Sequence, residues 1–435
     1  MRAWSQGRKV HVRDTCAATR HFLLVVATVI VVLTPGSLAS AASSDTPGVT
    51  ATTIRVGVPY IDVGAAALRT LGVDIDYGSF PDAFHALIDN VNSHGGINGR
   101  KIVPYIVAVN PVGTAPAATT CTQLTEDDSV FAVLAPLQPT CYLEHNVPVV
   151  GSIYPGGHSQ TSAQDFSPTP PVAAFDPLEL AAMVRQGVFS HKKVAVFGGG
   201  TGDESELGVA QSALAKLHVP VVTTAVDTAP QGDEAATDAQ VESIAQRFKS
   251  DGVSEVVAVG TGGAVWPGGL SAIQSAYNPP WVATVESDFN GAVGSGDSAA
   301  YLSNVVTATA LPPPTEIWNN AGTQECVHII KRAYPSDEIR AFDASLPESA
   351  QTWTSVEIAC SAMGLFEDIA KAAGKNLTVS SFVHAGYGLR NIVVPGGRVP
   401  VSFAPNRPYG LGPVYMAHYD SATKAVVYAD SPAKG

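Results

Sequence analysis

The chain has 435 residues, of which 46% are hydrophobic and only 14% are charged, and its formal net charge is −13. That length is ample for two compact domains. The acidic balance argues against nucleic acid and anionic membranes as partners, because both carry negative charge themselves.

The first 41 residues have the pattern of a secretory signal peptide. Five basic residues precede an uncharged apolar run at 22–33, and Ala39-Ser40-Ala41 follows as a small-residue cleavage site. The run is about 12 residues, whereas about 20 are needed to span a bilayer. Cys16 lies before the run, so we predict no lipid anchor. An uncleaved anchor or a misassigned start codon is the alternative.

Cleavage after Ala41 would remove five basic residues and one acid, which takes the net charge from −13 to −17. No later apolar run approaches membrane length. We therefore expect a soluble, exported product, either periplasmic or extracellular.

The stretch 54–109 predicts one β-α-β unit. An apolar run at 54–61 is typical of a buried strand. After a polar loop, apolar residues recur at helical spacing from Phe80 to Val91, and His94-Gly95-Gly96 provides a helix stop. A second apolar run fills 102–109. Such a unit joins two parallel strands by a right-handed crossover.

The same alternation continues along the chain. Further predicted strands are 130–135, 147–150, 193–197, 219–226, 256–259, 281–285 and 304–308, with a terminal hairpin at 414–419 and 425–428. Predicted helices are 119–124, 178–188, 204–217, 239–250, 270–276, 324–333, 352–373 and 379–385. The middle strands are apolar throughout, which favours parallel sheets covered on both faces. Breaks fall near 168–175, 310–315 and 391–399.

Four cysteines follow the predicted signal peptide: Cys121, Cys141, Cys326 and Cys360. An even number in an exported chain favours disulfides, and four cysteines allow three pairings. We predict Cys121–Cys141 and Cys326–Cys360, because each pair falls within one local block of sequence. The spacing does not suit zinc, and free buried thiols are the alternative.

The opening unit also carries a resemblance. A strand, a loop, a helix that ends in VN-x-x-GGINGRK-I and a second strand resemble the start of type I periplasmic binding proteins. The closest branch is the receptors of ABC transporters for Leu/Ile/Val and amides. The resemblance implies an α/β fold of two doubly wound, Rossmann-like lobes joined by three hinge crossings. Lobe one would take residues 42–172 and 311–392, and lobe two residues 173–310 and 393–435.

The resemblance also implies a ligand site between the lobes, at the loops that follow the strands. In lobe one, Gln138, Thr140, Ser152 and Tyr154 occupy the loops that hold a ligand carboxylate in the family, and Tyr77 would cover the ligand. The family's serine-rich loop is replaced here by Leu137-Gln-Pro-Thr140, which leaves the ligand's identity open. Thr140 and Ser152 are alternatively turn or cap residues.

On the lobe-two side, the family places an aromatic residue after one strand and an acid after the next. Trp266 and Glu286 match those places, and Asp288 is an alternative acid. The acid would pair with a ligand ammonium group. Its other interpretation is an ordinary cap or a solvated loop residue.

Catalytic motifs are absent from the sequence. It contains no nucleophile elbow, dinucleotide fingerprint, Walker A loop or H-E-x-x-H pair. We therefore predict a non-enzymatic, monomeric solute-binding protein without cofactor or metal, which captures a small polar ligand such as an amino acid or amide and delivers it to an ABC permease. A ligand-sensing or scavenging module of the same fold is the alternative, and a secreted hydrolase is a third.

Overall fold

The computed structural model describes residues 46–435. The description leaves out residues 63–75, 111–114, 137, 152–161, 169–171, 231–232, 271–272, 274, 285–298, 310–313, 344–345, 347–349, 396–399, 406, 408, 411–413, 430–432 and 434–435. The predicted signal peptide lies outside the described residues. Within them, no helix combines the length and the apolar character that crossing a membrane requires.

Strands and helices alternate as the sequence predicts. The strands are β1 Thr53–Ile61, β2 Lys101–Val109, β3 Ala132–Leu134, β4 Val149–Val150, β5 Asp165–Phe166, β6 Val194–Gly198, β7 Val221–Val226, β8 Glu255–Val259, β9 Trp281–Ala283, β10 Val305–Thr309, β11 Tyr415–Asp420 and β12 Ala425–Tyr428. The helices are α1 Phe80–Ser93, α2 Ala115–Thr122, α3 Thr140–Glu144, α4 Val172–Arg185, α5 Glu204–Lys216, α6 Glu234–Asp251, α7 Gly262–Leu270, α8 Ala299–Leu302, α9 Pro314–Asn319, α10 Ala321–Ala333, α11 Thr354–Ala373 and α12 Val379–Gly388.

Two sheets organise these elements. The first has the order β2-β1-β3-β4-β5 and is parallel throughout. The second has the order β12-β11-β10-β9-β8-β6-β7, and its terminal hairpin of β11 and β12 is antiparallel. Each sheet has its own packed core, so we call the first sheet with its helices lobe one and the second lobe two.

The opening unit forms for local reasons. Ser79 caps α1, because its hydroxyl accepts the Asp82 N–H at 3.2 Å and satisfies a free helix N–H group. The apolar face of α1 is buried, from Phe80 to Ile88. After the helix, Gly95 and Gly96 adopt positive φ, as the predicted stop requires.

The GGINGRK motif joins distant parts of lobe one. The backbone N–H groups of Ile97 and Arg100 each donate a hydrogen bond to the other residue's carbonyl across a tight turn. Within that turn Asn98 has φ +51°. The Asn98 amide donates to the carbonyl oxygens of Ala370 and Lys371 at 3.1 and 3.2 Å, at the end of α11. The Arg100 guanidinium donates to the carbonyls of Thr50 and Lys375, at 2.7 Å each. The motif is therefore a structural clamp between the first unit and a helix about 270 residues later.

Both predicted disulfides are present, and both belong to lobe one. Cys121 and Cys141 link α2 to α3 with a Cα–Cα distance of 6.3 Å. Cys326 and Cys360 link α10 to α11 at 6.0 Å. The first pair lies in a small core that includes Val133 and Val149, and the second lies in the main core of lobe one. Because alternate strand residues point to opposite faces, the two pairs secure opposite faces of the sheet.

The chain passes between the lobes at three places. After Phe166 it leaves the first sheet, and α4 packs against α5 and β10 of the second. After Thr309 it returns, and Ile317 of α9 joins the core of lobe one. The third crossing follows Phe403, whose ring meets that of Phe166 at 5.5 Å in an edge-to-face contact.

That third crossing differs from the predicted boundary at 393. Ile392, Val394, Val401 and Phe403 are all buried in the core of lobe one. The predicted break therefore precedes residues that still belong to lobe one, and Tyr409 pairs with Ser167 before the chain enters β11. Gly410 donates its N–H to the Ser167 carbonyl at 2.9 Å, so the first and third crossings run side by side.

Candidate functional site

Parallel strands bring the loops at their carboxyl ends to one edge of a sheet, and ligands of doubly wound folds bind at that edge. In lobe one the described part of this edge includes Ala135 and Gly151, both of which have positive φ. A side chain at Gly151 would place its Cβ 2.8 Å from the Ala362 Cβ. Glycine therefore lets the chain leave β4 close against α11.

The predicted lobe-one residues lie at or near this edge, as far as the described residues extend. Tyr77 is half-buried against the core, and its carbonyl accepts the Ser355 N–H at 2.9 Å at the start of α11. Gln138 and Thr140 are exposed, and Thr140 is the first residue of α3. Ser152 and Tyr154 lie outside the described residues.

Aromatic residues surround the start of α11 beside Tyr77. Trp353 is buried, and its ring makes edge-to-face contacts with Trp318 and Phe342, both at 6.2 Å between centroids. The Trp353 indole nitrogen has no hydrogen-bond partner among the described residues. The lobe-one edge thus combines exposed polar residues with a packed aromatic support.

In lobe two, Trp266 lies in the core. The sequence predicts a helix at 270–276, whereas α7 begins earlier in the chain. It spans Gly262–Leu270 and includes Trp266. The Trp266 side chain is 0% exposed, and its ring centroid lies 5.1 Å from Phe197 and 5.9 Å from Phe248. Packing of this ring against the sheet stabilises the glycine-rich segment Gly262–Leu270 as a helix. Glu286 and Asp288 lie outside the described residues.

The loop Gly198–Asp203 after β6 is held by one buried carboxylate. A single oxygen of Asp203 accepts the Gly199 N–H at 2.8 Å, the Thr261 N–H at 3.0 Å and the Thr261 hydroxyl at 2.9 Å. These bonds join the loops after β6 and β8. A Cβ at Gly260 would lie 2.3 Å from the Asp203 carboxyl group, so glycine is required there, where φ is +54°. Burial raises the pKa of Asp203, and its hydrogen bonds oppose that shift.

Two further acids belong to the same region: Glu206 lies beside Asp203, and Asp176 lies beside Glu206. Glu206 lies in the first turn of α5, and burial and the Asp203 charge raise its pKa to about 7. A hydrogen bond from the Gly260 N–H opposes this rise. Asp176 of α4 is 0% exposed, and burial and the nearby Glu206 raise its pKa well above the ordinary value. We name Asp176, Asp203 and Glu206 the acidic cluster.

The acidic cluster lies at the carboxyl edge of the second sheet. Asp203 and Glu206 follow β6, and Thr261 follows β8. Thr284 directly follows β9 and is buried, and a hydrogen bond from its side chain opposes the rise in the pKa of Asp176. This edge of lobe two therefore offers carboxyl groups and hydroxyls. It corresponds to the place where doubly wound folds bind their ligands.

The sequence analysis missed Asp176 and Glu206, although one signal was available. Asp176 shares a helix face with Leu180 and Met183, which are both fully buried in the lobe-two core. An acid on a face that must be buried points to a special environment. No local signal joins Asp176 to Glu206, which lies 30 residues later and on another helix.

A separate pocket of about 490 Å³ lies away from both carboxyl edges. It is bordered by the last turns of α1, α10 and α11, with Arg332 and Lys371 beside Glu325 and Glu367. Since α1 runs from the carboxyl edge of the first sheet to its amino edge, this pocket is at the wrong end for the ligand site of the fold.

The fold has clear counterparts among solved structures. A type 1 periplasmic binding protein from Bordetella pertussis Tohama I aligns with a TM-score of 0.60 at 15% identity, covering 87% of this chain and 100% of that one. The chain has the fold of type I periplasmic binding proteins. The resemblance seen in the opening unit is thereby confirmed at the level of the fold.

Two other solved structures of this fold carry different ligand descriptions. The branched-chain amino acid transporter substrate-binding protein of Streptococcus pneumoniae, in complex with isoleucine, aligns with a TM-score of 0.56 at 16% identity over 87% of this chain and 100% of that one. The fatty acid ABC transporter substrate-binding protein of Thermomonospora curvata aligns with a TM-score of 0.58 at 16% identity over 89% and 94%. No family model and no curated relative matches the sequence. The type I fold therefore does not by itself select a ligand.

Proposed function

We propose that the protein is an exported solute-binding protein that captures a small polar ligand between its two lobes and delivers it to an ABC permease. The observation that carries the proposal is the two-lobed type I fold, which the chain shares over 87% of its length with ABC transporter substrate-binding proteins. Binding without catalysis is supported by the absence of catalytic motifs from the sequence.

The ligand would lie between the two carboxyl edges. On the lobe-one side we propose Tyr77, Gln138, Thr140, Ser152 and Tyr154, from the loops after β1, β3 and β4. The exposure of Gln138 and Thr140 supports this assignment, because their polar groups are free to meet a ligand.

On the lobe-two side we propose Glu286 and Asp288, which lie two and four residues after Thr284, the residue that directly follows β9. Trp266 would support this edge from the core and would not itself cover the ligand, since none of its side chain is exposed.

Closure of the lobes would make binding specific. Contacts to both edges exist only when the edges approach each other, so a ligand that bridges them shifts the equilibrium toward the closed form. The parallel crossings at Ser167 and Tyr409 are short backbone connections about which such a rotation would occur.

The decisive experiment begins with native mass spectrometry of gently purified, full-length exported protein, to find a retained metabolite. That metabolite is then added back to stripped protein during small-angle X-ray scattering, and the radius of gyration should fall. If a tightly held metabolite leaves the radius unchanged, closure is wrong. If no solute is retained or rebound, the binding function itself is wrong.

A matched pair of variants tests the site on lobe one. Thr140→Ala should weaken binding of the recovered metabolite about tenfold, the loss of roughly 1.4 kcal/mol expected when one hydrogen bond is removed. Thr119→Ala is the control, because its exposed hydroxyl bonds to the Ala115 carbonyl of its own helix. Isothermal titration calorimetry measures both. Equal affinities for the two variants would remove Thr140 from the site.

A further inference from the structure

The first disulfide of lobe one has a histidine beside it. Cys141 lies in α3, and His145 ends that helix four residues later, so both side chains lie on the same side of one helical turn. The His145 Nδ1 atom lies 3.9 Å from the Cys141 Sγ atom. The two sulfurs of Cys121 and Cys141 and a ring nitrogen of His145 all lie within 4.8 Å of one another. Two sulfur atoms and an imidazole therefore meet where α2 and α3 are joined.

These three atoms have the chemistry and the spacing of zinc ligands. Zinc binds thiolate sulfur at about 2.3 Å and imidazole nitrogen at about 2.0–2.1 Å, so sulfur and nitrogen ligands of a tetrahedral site lie about 3.6 Å apart. The observed 3.9 Å between the Cys141 Sγ atom and the His145 Nδ1 atom is close to that spacing. Three protein ligands leave the fourth position of the ion to water.

Glu126 lies on the other side of the histidine ring. The His145 Nδ1 atom is 2.8 Å from the Cys141 carbonyl, which can only accept, so Nδ1 carries the proton in this form of the chain. A metal ion on Nδ1 requires the proton to be on Nε2 instead, and Glu126 Oε1 lies 3.7 Å from that nitrogen. Metal-binding histidines commonly donate their other ring N–H to a carboxylate, which orients the ring. Glu126 is placed for that role.

The disulfide determines whether the two sulfurs can bind a metal. In the oxidised chain they are bonded to each other, and neither is a thiolate. A dithiol reductant opens the bond through a mixed disulfide, supplies two electrons and two protons, and is itself oxidised to a disulfide. Cys141 is the sulfur open to attack, because it is half-buried whereas Cys121 is fully buried. Binding of Zn²⁺ then releases both thiol protons, since the thiolate is the ligand.

We propose that Cys121, Cys141 and His145 form a redox-controlled zinc site, which binds one Zn²⁺ ion only when the disulfide is reduced. The bound ion then replaces the disulfide as the link between α2 and α3. This differs from the expectation drawn from the sequence, in which the cysteine spacing argued against zinc. Cys141 and His145 have a C-x₃-H spacing, but their third ligand lies 20 residues before Cys141. The inference is independent of the proposed function, because it involves neither a solute nor lobe two.

The test uses the full-length exported protein, reduced with a dithiol and then freed of that reductant in the absence of oxygen. Cobalt(II) is the first probe, because its thiolate complexes absorb light and zinc complexes do not. We expect one cobalt ion per reduced chain, with sulfur-to-cobalt charge-transfer absorption that one equivalent of zinc abolishes. The oxidised chain should show no such absorption. Zinc should also raise the thermal unfolding midpoint of the reduced chain, because it binds the folded form.

Two histidine variants form a matched pair. His145→Ala removes a ligand and should weaken cobalt and zinc binding by about a hundredfold or more, whereas Glu126→Ala removes only the outer partner and should weaken it about tenfold. His94→Ala is the control. His94 also ends a helix, with its Nδ1 atom 2.7 Å from the Asn90 carbonyl, but it belongs to no such ligand group among the described residues. Its variant should bind both metals as the wild type does.

The second disulfide provides a control within the same chain. Reduced Cys326 and Cys360 also offer two sulfurs, but no third ligand joins them in the part of the chain that the structure describes. The Cys326→Ala/Cys360→Ala protein should therefore keep the cobalt absorption, and the Cys121→Ala/Cys141→Ala protein should lose it. Circular dichroism before and after reduction shows whether each protein keeps its fold.

Three outcomes would overturn the inference: no cobalt absorption in the reduced wild type, equal absorption in Cys121→Ala/Cys141→Ala, or unchanged affinity in His145→Ala. If reduction alone unfolds the chain, zinc is added before the reductant. The wild type and His94→Ala should then keep their fold and His145→Ala should lose it, and equal unfolding of all three would also overturn the inference. None of these results bears on solute binding, which is measured on the oxidised protein.

Discussion

The two lobes are stabilised in different ways. Lobe one carries both disulfides, one on each face of its sheet, whereas lobe two contains no cysteine in the whole of its sequence. Lobe two instead buries the acidic cluster, whose carboxyl groups are shielded from water. One lobe is cross-linked, and the other brings together carboxyl groups whose pKa values are raised by burial.

The difference concerns how each lobe is held in its folded form. Cross-links restrain the unfolded chain of lobe one and keep its helices together. Buried acids in lobe two oppose folding when they carry charge, because burial disfavours the charged form. Lobe one is therefore stabilised by covalent bonds that lobe two lacks.

The largest expected effect concerns the core of lobe two. Trp266→Ala should lower the free energy of unfolding by about 3–5 kcal/mol, since it removes a fully buried aromatic ring and leaves a cavity. Denaturant unfolding followed by circular dichroism measures the loss. Trp318 of lobe one is only half-buried, so Trp318→Ala should lower the free energy of unfolding by less. A stable Trp266→Ala protein with impaired ligand binding would restore this residue to the ligand site.

Removal of a cross-link should weaken lobe one by a similar amount. The double variant Cys326→Ala/Cys360→Ala opens a loop of 34 residues, and the chain-entropy estimate is about 3–4 kcal/mol. Differential scanning calorimetry should show a lower transition for lobe one while that of lobe two is unchanged. Cys121→Ala/Cys141→Ala, with a loop of 20 residues, is the companion variant. Loss confined to the lobe-two transition would contradict the comparison.

The smallest effect is a pH dependence in lobe two. Glu206 and Glu255 both have pKa values raised to about 7 from 4.5, in each case mainly by burial. The folded state keeps their protons where the unfolded state has lost them, so their stabilising contribution is complete below pH about 4.5 and is lost as pH rises through about 7. Each contribution is on the order of 2 kcal/mol, after allowance for partial exposure.

The measurement compares unfolding free energies from pH 5 to pH 8. Stability of the wild type, relative to Glu206→Gln, should fall over this interval, because glutamine has no proton to lose. The stability of the wild type relative to Glu255→Gln should fall in the same way. Because Glu255 lies outside the acidic cluster, this comparison shows whether burial alone causes the pH dependence. Parallel curves for wild type and variants would mean that these carboxyl groups titrate normally.

Local sequence patterns predicted the parts of the fold that form locally. The first β-α-β unit and its glycine stop were predicted because the two apolar runs, the apolar helix face and the stop all lie within residues 53–109. The cysteine pairs were predicted for the same reason. Helix α7 was displaced in the prediction, because its glycine-rich sequence has little intrinsic helix preference and depends on Trp266 packing between Phe197 and Phe248.

The candidate site was only partly predictable, because its residues meet through the tertiary fold. The edge loops could be located from the ends of apolar runs, and the resemblance then assigned the lobe-one residues to them, an assignment that stays a prediction. The pairing of Asp176 with Glu206 depends on how α4 packs against α5 after the first crossing. Likewise, burial of Val401 and Phe403 in lobe one depends on the ring of Phe166, far away in sequence.

The clamp made by Asn98 has a consequence for the order in which the molecule assembles. Its partners, Ala370 and Lys371, lie more than 270 residues later in the chain, after the unbroken run β6 to β10 that supplies five of the seven strands of lobe two. Each disulfide, by contrast, closes within its own segment. Oxidation can therefore proceed on either half of lobe one before the halves meet. The two segments of lobe one can dock only once the last quarter of the chain is present. Most of lobe two is able to fold before then.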